Sequence, residues 1–154
     1  MKKVIAIAVA AMVAFGFGTS AIAAEKNPYV SMFGGKQKVV YHLNYDNPKR
    51  QKGMLRNINN HIKAVGAKNL DLRVVMHGKG YTMLETANTD LELQNTIVSL
   101  KDKGIKFQLC ANTIRGKKLD EKNLFGFDPA NDKVPSGVAE IAHLQKKGFA
   151  YIRP

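Results

Sequence analysis

Hydrophobic residues fall along this chain in two alternating patterns, short near-continuous runs and longer stretches with helical spacing. The segment "KVVYHLNY" (38–45) has the unbroken, β-rich hydrophobicity of a strand buried on both faces. Asn47-Pro48 follows it. Asparagine accepts bonds from the free N–H groups at a helix start, and proline's missing N–H costs nothing at the first helical position. Leu55, Ile58, Ile62 and Val65 then share one stripe, and Gly66 closes the helix. "LDLRVVMHG" (70–78) predicts a second strand. "NTDLELQNTIVSLKDKG" (88–104) predicts a second helix, opened by the capping box Thr89-x-x-Glu92, with Leu93, Ile97 and Leu100 inward. "IKFQLC" (105–110) is a third strand, and residues 112–126 predict a short helix through Leu119 and Leu124, with breaks at Gly116 and Gly126. An extended piece near Val134 precedes a helix capped by Ser136, with Val138, Ile141 and Ala142 inward, and "FAYIRP" (149–154) is the last strand.

Strand and helix alternate throughout, which predicts an α/β fold: a single-domain, flavodoxin-like parallel sheet of about five strands in flavodoxin-like order, with helices on both faces. The chain shows no repeats, low-complexity tracts or internal linkers. Ahead of this domain, Lys2 and Lys3 precede an apolar stretch from Val4 to Phe17, and Ala21-Ile22-Ala23 supplies a small-x-small cleavage pattern. This reads as a signal peptide over 1–23, removed on export to the periplasm or beyond. The apolar run is short for a membrane span and is interrupted by Gly16 and Gly18, so no stable membrane insertion is expected after cleavage. Residues 24–36 read as an N-terminal arm and 37–154 as the folded domain.

Charge adds a partner class. The formal net charge is +12, to which the targeting segment contributes only Lys2 and Lys3. A basic surface favours anionic partners such as acidic proteins or small oxyanions. Nucleic acid is not expected, because the lysines are spread along the chain rather than interleaved with aromatics, and an exported protein rarely meets DNA. The chain has one cysteine, Cys110. Exported proteins mostly use cysteines in pairs. A single one is a reactive thiol, a metal ligand, half of an intermolecular bridge, or a small packed hydrophobe.

In an open parallel sheet, ligands bind at the carboxyl ends of the strands. Four groups collect there: His42, Asn44 and Asp46; His77, Gly78, Lys79 and Gly80; Cys110, Asn112 and Thr113; and Pro135, Ser136 and Gly137. Cys110 stands where a strand gives way to a helix whose opening N–H groups point at the sulfur. That position lowers a thiol pKa and suits attack on sulfur or carriage of a persulfide. Lys79 and Arg115 add positive charge if they fold inward. His77 precedes "GKG", whose glycines let backbone approach a ligand closely. His42, within its strand, reads first as a hydrogen-bonded structural residue. His42, His77 and Cys110 together form an alternative thiolate–imidazole site for copper or zinc, although no CxxC, HxxxH or HExxH spacing supports one. His61 and His143 fall within helices. CxxCH, P-loop, GxGxxG and GxSxG patterns are absent, so no haem-attachment, nucleotide-binding or hydrolase motif is present.

At "VVMHGKG", "FQLCANTI" and above all "VPSGVAEIAHLQKKGFAYIRP" (134–154) the chain resembles the DsrE/DsrF-like family, which is associated with sulfur relay and sulfur oxidation. The resemblance runs from Lys38 to Pro154. It implies a flavodoxin-like parallel α/β sandwich assembled into trimers or hexamers. It also implies that Cys110 corresponds to the cysteine that carries a persulfide in relay members and passes the sulfur to a thiol- or persulfide-bearing protein partner. Two features differ from the well-understood relay members: the signal peptide, and Ala111 where a glycine usually follows the cysteine. The resulting expectation is an exported sulfur-handling protein without a cofactor. Cys110 carries sulfane sulfur, His77 and Lys79 hold small sulfur anions, Asn112 orients the turn, and His42 lines the site. The alternative is a binding module without turnover, holding a metal ion or small anionic ligand at the same edge.

Overall fold

The computed structural model describes residues 27–30 and 34–154, so the signal peptide read over 1–23 and part of the arm lie outside the described residues. Five strands form one all-parallel sheet: β1 (Gln37–Leu43), β2 (Leu70–Met76), β3 (Lys106–Cys110), β4 (Lys133–Val134) and β5 (Ala150–Ile152). The class matches the expectation, but the strand order does not. It is β4-β3-β2-β1-β5, not the flavodoxin order 2-1-3-4-5. Each of the first three crossovers steps outward on the same side of β1, and the last returns across the sheet to its other side.

Right-handed crossovers then dictate where the helices lie. The forward steps put α1 (Pro48–Val65), the short α2 (Thr82–Thr86), α3 (Leu91–Asp102) and α4 (Ala111–Lys117) on one face, while the return step leaves α5 (Gly137–Lys146) alone on the other. The core divides accordingly. Val39, Tyr41 and Leu43 join Leu72, Val74, Met76, Phe107 and Leu109 in a large cluster with α1 to α4. Val40 and Val75 join Ile141, Leu144 and Phe149 in a small one. Side chains alternate across a strand, and the register pairs His42 with Val75, Val75 with Gln108, and Cys110 with Val134. His42, Gln108 and Cys110 therefore share the sheet face that α5 only partly covers.

Helix starts follow the sequence closely. Asn47 accepts from the Arg50 N–H at 2.9 Å and Ser136 from the Ala139 N–H at 3.4 Å. In α3 the cap is Asp90, which accepts from the Leu93 N–H at 3.0 Å, so the Thr89 capping box gives way to a start one residue later. Two stripes need correction. In α5 the inward residues are Gly137, Ile141 and Leu144, while Val138 is 65% exposed and Ala142 is exposed. Gly137 is pressed against the sheet, and that contact fixes the helix rotation. In the 112–126 segment, α4 already begins at Ala111, contains Gly116, and ends at Lys118 in the left-handed region (φ 52°). Leu124 and Leu119 pack on the core from the turns that follow. A 3-10 turn over Gly78–Tyr81 and helix α2 had no sequence forecast. Among the described residues, no helix is long and apolar enough to cross a membrane.

Candidate functional site

Cys110 ends β3 and caps α4, and its residue is 4% exposed. The first turn of α5 lies over it, with Gly137 against its Cβ. A cysteine buried among hydrocarbons would be inert, but this sulfur is surrounded by donors. The backbone N–H groups of Gly137, Thr113 and Asn112 and the Thr113 hydroxyl lie near enough to lower its pKa, although the sulfur makes no cap hydrogen bond to α4. That hydroxyl accepts the Gly78 N–H at 3.0 Å, which leaves its own proton free to be donated. Burial pushes the thiol pKa up, the four donors pull it down, and the net result lies below the ordinary thiol value. Two helix starts, α4 and α5, thus converge on one atom.

His77 follows β2 and faces the same place. Gly137 separates it from Cys110: a Cβ built on Gly137 would fall 3.0 Å from the His77 Cβ and 3.2 Å from the Cys110 Cβ. Glycine at this position is what lets α5 begin in contact with both residues. His77 in turn meets His42. Their Nε2 atoms stand 2.6 Å apart, with ring centroids at 4.6 Å and planes inclined by 29°. The other nitrogen of His42, Nδ1, lies 2.7 Å from the Tyr151 hydroxyl on β5. Burial, the His77 ring and the Arg153 guanidinium hold the His42 pKa down at about 4, and burial and Arg153 lower that of His77. Both imidazoles are therefore neutral at neutral pH, and the short contact between them needs one protonated and one bare nitrogen.

The remaining expected site residues lie elsewhere. Lys79 extends into the open and pairs with Asp46 at 2.8 Å, so its charge is directed to a carboxylate and not to the thiol. Asn112 contributes its backbone N–H to the sulfur, while its exposed side chain bonds Arg115. That contact also accounts for Arg115, which does not turn inward. Asn44 holds Arg153 at 3.1 Å. The glycines of "GKG" serve packing: a Cβ on Gly80 would fall 2.2 Å from the Leu43 carbonyl oxygen, and Gly78 adopts φ 55°.

The alternative copper or zinc site does not fit the observed rings. Two imidazole nitrogens on one tetrahedral zinc stand roughly 3.3 Å apart, whereas the facing Nε2 atoms, at hydrogen-bond distance, leave no room for an ion between them. Among the described residues, no group of three or more His, Cys, Asp or Glu side chains converges to hold a metal.

Sequence reasoning missed Tyr151, the bonding role of Thr113 and the contact made by Gly137. Gln108 was missed too: it is buried two residues before Cys110 on the same face, and its Oε1 has no partner among the described residues. Period-two counting along β3 would have found Gln108. Tyr151 becomes visible only once β5 is known to lie beside β1.

The model of the DsrE/DsrF-like family matches residues 37–154. Among solved structures, the protein of unknown function MTH1491 from Methanobacterium thermoautotrophicum is similar at 29% identity and a TM-score of 0.66. The match covers 77% of this chain and 100% of that one. No curated protein matches the chain.

Proposed function

The chain belongs to the DsrE/DsrF-like family, and from that premise we propose that it is an exported carrier of sulfane sulfur, held as a persulfide on Cys110. The observation that carries this reading is the place of Cys110 at the joint of β3 and α4, against Gly137 at the start of α5, where the neighbouring N–H groups and the Thr113 hydroxyl favour the thiolate despite burial. A thiolate is the nucleophile in exchange at sulfur, and a pKa brought down toward ambient pH makes a large thiolate fraction available without losing much nucleophilicity.

The step is an exchange of one S–S bond for another. The Cys110 thiolate attacks the outer sulfur of a donor persulfide, R–S–SH. The donor's S–S bond breaks, its inner sulfur leaves as a thiolate with the bonding electrons, and Cys110 becomes the persulfide. An acceptor thiolate reverses the sequence on the other side. No electron acceptor is consumed. The N–H groups of Asn112, Thr113 and Gly137 hold the anionic sulfur. His77 and Ser136, on either side of Gly137, are half-buried. The basic surface favours small anionic donors and a protein partner presenting a thiol. Treating the purified protein with polysulfide should add increments of about 32 Da, one sulfur atom each, to the Cys110 peptide. A Cys110→Ser protein should carry none, and increments that persist in that variant would refute the assignment. Export is part of the same proposal and predicts a mature protein whose first residue is Ala24.

A further inference from the structure

We infer that Tyr151, His42 and His77 form a proton wire between solvent and the sulfur chemistry at Cys110. This rests on the persulfide-carrier reading and adds to it a path for protons and a working role for Tyr151.

Sulfur transfer between thiols leaves a proton to move at each half-reaction. On charging, the Cys110 thiolate takes the outer sulfur of R–S–SH, and the departing donor thiolate needs one proton to leave as R–SH. On discharge, the acceptor R'–SH must lose one proton before its sulfur attacks the outer sulfur of the Cys110 persulfide. That attack yields R'–S–SH and returns the Cys110 thiolate. The site is buried, so these protons need a route.

The three side chains come from β5, β1 and the end of β2, and they are joined by two short contacts. The Tyr151 hydroxyl meets His42 Nδ1 at 2.7 Å, and His42 Nε2 meets His77 Nε2 at 2.6 Å. The chain can be polarised in two ways with every ring neutral. In one, Tyr151 donates to His42 Nδ1, His42 Nε2–H donates to His77 Nε2, and His77 carries its proton on Nδ1. In the other, each of those hydrogen bonds is reversed and His77 Nδ1 is bare. Passing from the first to the second releases a proton at His77 Nδ1 and takes one up from solvent at the Tyr151 oxygen; the reverse returns it. Charging of Cys110 uses the first direction and discharge the second, so one sulfur transfer restores the wire.

The two ends have the right surroundings. Tyr151 is 42% exposed, whereas His42 is 9% exposed and bonded through both nitrogens. His77 Nδ1 forms no hydrogen bond among the described residues, and the His77 Cβ and Cδ2 flank Gly137 across from the Cys110 Cβ. Burial and Arg153 hold both imidazoles neutral, which keeps the protons mobile and prevents a trapped imidazolium.

The test follows discharge of persulfidated protein to a small thiol at neutral pH. Tyr151→Phe removes the solvent end of the wire and leaves the four donors on the sulfur untouched. The expected result is a Cys110 that is alkylated as in the wild type and loads sulfur to the same final extent, but both loads and discharges about 100-fold more slowly. Added imidazole should restore much of the rate, which a purely structural defect would not allow. His42→Gln, whose amide keeps a donor and an acceptor near the ring positions but does not relay protons, should show the same loss. Both variants should lack the solvent deuterium isotope effect of the wild type. Discharge of Tyr151→Phe at the wild-type rate would overturn the wire while leaving the carrier reading intact. A wild-type protein that never loads sulfur would remove the carrier reading itself.

Discussion

At the residue scale, the site depends on one missing methyl group. Gly137 is not in a left-handed conformation, so alanine there would suit α5 by backbone preference. Its Cβ would nonetheless press on the Cβ atoms of His77 and Cys110, and the first turn of α5 must lift away to relieve it. Gly137→Ala is therefore expected to move an N–H off the sulfur and raise the Cys110 thiol pKa, read from the pH profile of alkylation, with little change in helix content. Gln108 gives an independent prediction. A buried carbonyl without a partner costs about 1–3 kcal/mol, and Gln108→Leu fills nearly the same volume without it. The variant should be more stable by about 1 kcal/mol in urea unfolding; equal or lower stability would mean that the amide oxygen is satisfied in solution. Cys110 was legible in the sequence because a strand running directly into a helix start is a local pattern. The donors on its sulfur were only half legible, since Asn112 and Thr113 lie next to it in the chain and Gly137 does not.

At the scale of elements, the sequence specifies starts better than rotations. Asn47-Pro48 sets the start of α1, and Asn47→Ala is expected to cost about 1 kcal/mol of stability, measured by thermal or urea unfolding. The start of α3 shows how local rules compete. Thr89 and Asp90 are both good caps, and Asp90 prevails because its carboxylate also meets Lys52 on α1 at 2.9 Å. The inward stripe of α3 (Leu93, Ile97, Leu100) could be read from spacing because α3 packs over a broad apolar sheet face. The stripe of α5 could not. The face beneath it carries His42, Gln108 and Cys110 among few apolar residues, so hydrophobic spacing does not decide which side turns in. The Gly78–Tyr81 turn and α2 escaped notice for a related reason: they are too short to show a helical period.

At the scale of the molecule, burying a neutral histidine pair between α5 and the sheet links folding to pH. The His42 pKa falls from the ordinary 6.5 to about 4 in the folded protein. The unfolded chain therefore binds more protons than the native one between those values, and stability rises with pH across that window and levels off above it. The urea midpoint should climb between about pH 4 and 6.5. His42→Gln should flatten that part of the curve, whereas an unchanged slope would show that other groups set it. His61, whose pKa burial also lowers, remains in both proteins and cancels in the comparison. Asp46, Asp90 and Asp128 have pKa values already lowered by their hydrogen-bonding partners, so their contribution is lost only at more acidic pH.

The linear chain by itself determined which segments become strands and helices, where most helices begin, and that a lone thiol would stand at a strand end. Each of these follows from neighbours within a few residues, through side-chain period, capping and turn chemistry. The folded molecule decided that β5 lies beside β1, that α5 alone covers one face, and hence that Tyr151, His42, His77 and Gly137 meet around Cys110. Those meetings depend on strand pairings between segments far apart in the chain, which no local pattern encodes.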